Sequence, residues 1–484
     1  MQSGKHEGET GAVAAVTLPA AARWALAGLA LCMLLASLGT SIANVALPTL
    51  AQAFTASFQD VQWVVLAYLL AVTTLIVSVG RLGDIVGRRR LLLAGIGLFT
   101  AASLLCGLAP TLWLLIAARA VQGLGAAIMM ALTVALVGET VPRARVGSAM
   151  GLLGTMSAVG TALGPSLGGF LIAGTGWRAI FFAALPLGLL TLLLAWRHLP
   201  ADRGIAQSQQ ARFDRAGTVF LALTLAAYAL AMTIGRGSFG VSNLALLAAA
   251  MVGGGLFVLV QTRTPSPLIQ MATFRDGVMS ASLFANVLVS TVMMATLVVG
   301  PFYLSGAIGL KAVAVGMVLS IGPVLSALSG VPAGRLVDRL GAPVMAIAGL
   351  SVMATGALAL SLLPESFGLA GYIVAIAVLT PGYQLLQAAN NTAVMAEVPS
   401  DQRGVVSGLL SLSRNLGLIT GASVMGAVFS FASGMAGGVT GAGEAVATGM
   451  QVTFLVAAAL AAAAIAIVAA SRMATAGKAA GRAS

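Results

Sequence analysis

The stretch Gly80–Arg90, GRLGDIVGRRR, gathers five ionisable groups between two long apolar runs. Gly80 and Gly87 permit a tight turn, and Asp84 can accept hydrogen bonds from a helix N-terminus or pair with an arginine such as Arg88 or Arg89. The pattern returns 254 residues later as GRLVDRLG at Gly334–Gly341, with Asp338 in the place of Asp84. Farther along, RAVQGLGAA at Arg119–Ala127 sets Arg119 about two turns inside an apolar run, with Gln122 on the same face. A guanidinium at that depth must face a cavity, find a partner or snorkel to the surface. Arg414 is a second embedded cation. In GTALGPSLGG, Gly160, Gly164 and Gly168 recur at intervals of four beside Pro165 and Gly169, a stripe that admits a neighbouring helix and a proline that kinks its own. Uncharged candidates for lining a cavity are Asn44, Asn286, Tyr303 and the set Gln384, Gln387 and Asn391, which share one helical face. Interhelical hydrogen bonding explains such residues equally well.

What is missing narrows the chemistry. Every acidic residue falls in a tail, a loop or the end of an apolar run; the nearest to the interior are Asp60, Glu139 and Glu397. His6 and His198, the only histidines, flank the apolar runs, so the GxSxG match around Ser166 has no base and no hydrolase is expected. Neither an HExxH zinc helix nor a GxxxxGK[ST] phosphate loop occurs, and Cys32 and Cys106 read as packing residues. No metal, cofactor or enzyme activity is expected, and energy must come from a gradient or another chain.

The elements that position these residues are membrane helices. With 59% hydrophobic residues, 8% charged and a mean hydropathy of +1.02, the chain is polytopic. The net charge of +12 is scattered through short loops, which argues against nucleic-acid binding. Fourteen apolar runs of about 19–28 residues are expected: 24–50, 61–80, 91–109, 112–138, 147–174, 178–196, 216–235, 243–262, 278–304, 312–333, 343–363, 368–395, 405–430 and 452–471. Most of the 25 Lys and Arg fall on one side when both termini are cytoplasmic. A second echo, VPxxxxGxxxGLL at Val141–Leu153 and Val398–Leu410, is offset by 257 residues. The two echoes divide the chain into a cytoplasmic tail (1–23), a six-helix bundle (24–198), a cytoplasmic linker (199–215), an inserted helix pair (216–276), a second six-helix bundle (277–471) and a cytoplasmic tail (472–484).

Gly80–Arg90 resembles the cytoplasmic loop signature of the major facilitator superfamily. RAVQGLGAA, GTALGPSLGG, NVALP at Asn44–Pro48, WRAIFFAALPLG at Trp177–Gly188 and SLSRNLGLITGA at Ser411–Ala422 are similar to motifs of its fourteen-span drug:proton antiporter branch. The resemblance covers Trp24 to about Ala470. It implies an all-α membrane protein, two pseudo-symmetric six-helix bundles around a central cavity, and proton-coupled efflux of small amphipathic molecules by alternating access. In that family Arg119 is tied to proton coupling. Two positions depart from the pattern: Gly39 stands where the branch usually has an acid, and Ala184 where it has Asn. The missing acid favours an alternative, an exporter or uniporter of an endogenous metabolite or anion. Expected partners are a small-molecule substrate and the lipid of the cell inner membrane, with the chain monomeric or beside periplasmic adaptor proteins.

Overall fold

The computed structural model describes residues 19–142, 146–202, 214–234, 240–264, 267, 277–396, 403–437 and 442–483. These residues are almost wholly helical, and thirteen of their helical segments are long and apolar enough to cross a membrane. One of the thirteen, Ala342–Val394, has 53 residues, the length of two crossings. Within it Gly368 adopts φ 54° and ψ −129°. On either side Gly349 lies against Leu386, Gly356 against Leu379 and Gly371 against Leu363, so the two arms run antiparallel. The protein therefore makes fourteen passes.

The helices are α1 (Ala20–Ala53), α2 (Phe58–Val86), α3 (Arg88–Leu108), α4 (Leu112–Thr140), α5 (Val146–Thr175), α6 (Ala179–His198), α7 (Arg215–Thr233) and α8 (Val241–Arg263). They continue as α9 (Gly277–Phe302), α10 (Ala312–Leu340), the arms α11 (342–367) and α12 (369–396), α13 (Arg403–Thr420, prolonged through a π turn to Gly437) and α14 (Ala442–Ala483). Gly80–Arg90 is not an open loop. Helix α2 runs to Val86 and α3 begins at Arg88, so Gly87 alone, at φ 102°, makes the turn. Its counterpart Gly341, at φ 85°, does the same between α10 and α11. A side chain is strained at such φ, which is why each copy of the motif ends in glycine. We call the side carrying these two turns the hinge face and the opposite side the far face.

Packing repeats with the offset seen in the sequence. Helix α1 packs on α5 and α9 on α13; α3 packs on α4 and α11 on α12. Gly95 and Gly125 meet across the first of these hairpins, and Gly349 and Gly382 across the second, 254 and 257 residues on. The two sets touch through α5 with α10 and, in the mirrored pairing, α2 with α13. Helices α7 and α8 pack on each other, and Asp214 joins them by accepting from Gly217 N and Gln261 Nε2, both at 2.7 Å. Helix α7 lies along the seam: Thr218 bonds Ser78 (2.8 Å) and Thr233 accepts from Trp63 Nε1 (3.1 Å) on α2, while Tyr228 donates to Thr420 (3.3 Å) on α13. Most of the linker expected at 199–215 lies outside the described residues. Of the tryptophans at span ends, Trp24, Trp113 and Trp196 are exposed as interfacial anchors should be, but Trp177 is buried between Phe54 and Phe181.

Candidate functional site

Arg119 is fully buried on α4 and does not snorkel. Its Nε donates to Val64 O of α2 (2.9 Å), Nη2 to Gly39 O of α1 (3.0 Å) and Nη1 to Gln122 Oε1 (2.5 Å). Gln122 passes the chain on to Ser103 Oγ of α3 at 2.7 Å. The guanidinium also lies 4.3 Å from the centre of the Tyr68 ring, a cation–π contact that is strong where water is excluded. One planar fork thus ties four helices together with no carboxylate among its described partners. An acid at position 39 would crowd this place, because a Cβ there would stand 3.1 Å from the Tyr68 hydroxyl and 3.3 Å from the Phe99 ring.

Between the two sets of helices lies a cavity of about 560 Å³, enough for a drug-sized molecule. Its walls come from α1 and α5 on one side and α9, α10, α12 and α13 on the other. Of the candidates from the sequence, Gln384, Gln387, Asn391 and Arg414 line it. Gln384 donates to Ser326 Oγ, and Gln387 Nε2 to the Tyr383 hydroxyl at 2.7 Å. Thr380, buried and lining the same wall, has a hydroxyl with no partner among the described residues.

Other candidates are placed elsewhere. Asn44 is buried and donates to Thr40 O and Ser41 O of its own helix. Asn286 joins α9 to α13 through Leu410 O (3.1 Å) and Ser413 Oγ (2.8 Å). Tyr303 stacks behind the cavity residue Tyr372, ring centres 6.0 Å apart. Asp60, one of the acids nearest the interior, forms a capping box with Ser57 at the start of α2. Glu139, another of these acids, pairs with Arg88 at 2.5 Å on the hinge face. Asp338 is exposed in the last turn of α10. The side chain of Asp84 and residues of the Glu397 loop lie outside the described part.

An acid outside the motif docks at the first hinge. Asp202, just beyond α6, accepts from the backbone N–H groups of Arg89 (2.8 Å) and Arg90 (3.2 Å) at the start of α3. Arg89 returns the contact by donating to Trp196 O. Three arginines crowd a helix end that is already partially positive, and Asp202 offsets both. Replacing Asp202 with Ala should therefore cost about 1–2 kcal/mol, read as a lower unfolding midpoint of purified protein, with Asp202→Asn losing roughly half as much because an acceptor remains.

The far face is closed. The stripe Gly160, Gly164 and Gly168 lets α5 lie directly on α1, against Leu34, Ser41 and Val45. Gly169 points the other way: a Cβ there would meet Ala312 O of α10 at 2.5 Å, and one on Gly316 would strike the Pro165 carbonyl. Helix α5 runs unbroken through Pro165. At the same end Phe58, Phe302 and Phe429 cluster with ring centres 4.6–6.3 Å apart. Gln59 donates to Ser430 Oγ and Gln62 to Ala422 O. Toward the hinge face α10 is bare instead, with Leu328 and Val331 exposed.

Two related helix sets enclosing a cavity that is shut at one face define a secondary carrier of solutes, a multi-pass membrane protein. The chain belongs to the Major Facilitator Superfamily, whose family model matches residues 29–422. It is 32% identical over 392 residues to the multidrug resistance protein Stp of Mycobacterium tuberculosis, covering 80% of this chain and 72% of that one. The riboflavin transporter RibZ of Clostridioides difficile is 30% identical over 82% of this chain and 86% of its own. The multidrug efflux pump LfrA of Mycolicibacterium smegmatis is 30% identical over 85% and 82%. In fold, a bacterial homologue of the human lysosomal transporter Spinster, solved inward-facing and unoccupied, superposes with a TM-score of 0.69 over 94% of this chain at 17% identity.

Proposed function

We propose that the protein exports small amphipathic molecules across the cell inner membrane by alternating access driven by the proton gradient. The single observation that carries this reading is the cavity between the two helix sets, sealed at the far face by Gly169, Gly316 and the phenylalanine cluster. The efflux pump LfrA among its relatives supports the direction of transport. The hinge face, with Arg88, Arg89 and Arg90, is then cytoplasmic, as are both termini. The substrate and surrounding lipid are the partners required, with no bound cofactor; the chain acts as a monomer or delivers to a periplasmic adaptor. The arrangement around Arg119 favours a second reading, export of a metabolite or anion without proton antiport, since Gly39 leaves the guanidinium on main-chain carbonyls rather than on a titratable acid.

Uptake into inverted membrane vesicles of a panel of cationic, neutral and anionic solutes, with ΔpH and Δψ collapsed separately, tests both. Accumulation that disappears when ΔpH is collapsed supports proton antiport. Accumulation indifferent to both gradients would rule it out in favour of the second reading.

A further inference from the structure

We propose that the cavity selects amphipathic anions, molecules with an apolar body and a carboxylate-like group, and that Arg414 is the residue that binds the charge. Among the described residues Arg414 is the one charged side chain lining the cavity, and none of the other lining residues is a carboxylate. It is exposed to the cavity and has no ionic partner among the described residues. An unpaired cation in a confined, largely apolar space raises the local concentration of anions and opposes cations.

The lining is also ordered along the cavity. Helix α12 runs from the far face to the hinge face, so Tyr372 and Ile376 lie deep whereas Gln384, Gln387 and Asn391 lie nearer the opening. Helix α10 runs the same way and places Leu319 deep and Ser326 shallow. Helix α13 runs oppositely, and Arg414 stands one turn closer to the hinge face than Leu418. The deep end, with Leu319, Ile376 and Leu418, is thus the more apolar, and the shallow end carries the cation with its polar neighbours. The Tyr383 hydroxyl, which accepts from Gln387, keeps its own hydrogen for a bound anion. An apolar body enters first and its anionic group stays at the level of Arg414.

This substrate class, which rests on the transport reading above, is tested by calorimetric titration of the purified full chain with three ligands of one shape. They are 1-naphthylacetate, its uncharged amide 1-naphthylacetamide and the cation 1-naphthylmethylammonium. The anion should bind about tenfold or more tighter than the amide, and the cation weakest. Arg414→Gln should bring the anion to within about threefold of the amide, and Arg414→Lys should keep part of the preference because the charge remains. Gel filtration and helical circular dichroism establish that both variants are folded. A cation that binds as well as the anion, an anion preference that survives Arg414→Gln, or failure of all three ligands to bind overturns the assignment. Vesicle uptake of ethidium that depends on ΔpH, together with no naphthylacetate binding, would sink the anion class and leave the export reading standing. Arg414-dependent naphthylacetate binding with no vesicle uptake of any solute would do the reverse.

Discussion

Arg119→Ala is expected to abolish transport and to destabilise the first helix set by roughly 3–5 kcal/mol. The side chain is fully buried, so its removal leaves a cavity, and Gln122 Oε1 loses the donor that now satisfies it. The larger loss is geometric. One rigid fork fixes Gly39 of α1, Val64 of α2 and Gln122 of α4 at once, and α1, α2 and α4 must move as one body for the cavity to change sides. Arg119→Lys keeps the charge but offers one point donor on a flexible stem, so it should recover less than about a tenth of wild-type uptake. Initial rates in inverted vesicles and the unfolding midpoint in detergent measure the two effects. A lysine variant with near-normal uptake would show that charge at this position suffices and the fork does not matter.

The sequence makes some of this plain and hides the rest for physical reasons. Apolar runs of bilayer length and the 254-residue echo are local patterns, and they carry the fourteen passes and the twin hinges at Gly87 and Gly341. The face of Gln384, Gln387 and Asn391 is legible because polar residues on an apolar helix mark a direction. Asn44 and Asn286 are the opposite case. Lipid is as apolar as the packed interior, so neighbouring residues give no amphipathic stripe to show whether an asparagine looks into a cavity or toward a helix. Asp202 was not legible as a hinge contact: it lies 113 positions from Arg89, and only tertiary folding brings it to the start of α3. The seam position of α7 is hidden in the same way, since Trp63, Ser78 and Thr420 reach it from helices distant in sequence. The glycine stripe shows its spacing but not its two directions, toward α1 at Gly168 and toward α10 at Gly169.

That second direction sets the other large effect. Gly169→Leu should hold the far face open and reduce transport by about tenfold or more. Helices α5 and α10 approach so closely at Gly169 and Gly316 that even a Cβ meets backbone, and backbone cannot rotate aside as a side chain can. Overpacking of this kind costs about 1–3 kcal/mol in the closed arrangement and nothing once the helices part. A penalty carried by one of two states shifts their ratio by roughly 5- to 150-fold, and a carrier held in one state cannot cycle. The shift itself is measurable with Leu297→Cys, which lines the cavity, in a background with Cys32→Ala and Cys106→Ala. An impermeant maleimide added from the far face should label that cysteine faster in the Gly169→Leu protein. Gly97→Leu serves as the control, because a Cβ there has nothing within 4 Å, and its transport should stay within about twofold of the parent. Gly316→Leu should reproduce the Gly169→Leu effect, and combining the two should add little, because both act on one contact that is already broken. Full additivity would mean that the two glycines serve separate contacts, and the far-face seal would then have to rest on the Phe58, Phe302 and Phe429 cluster and on the Gln59–Ser430 and Gln62–Ala422 hydrogen bonds.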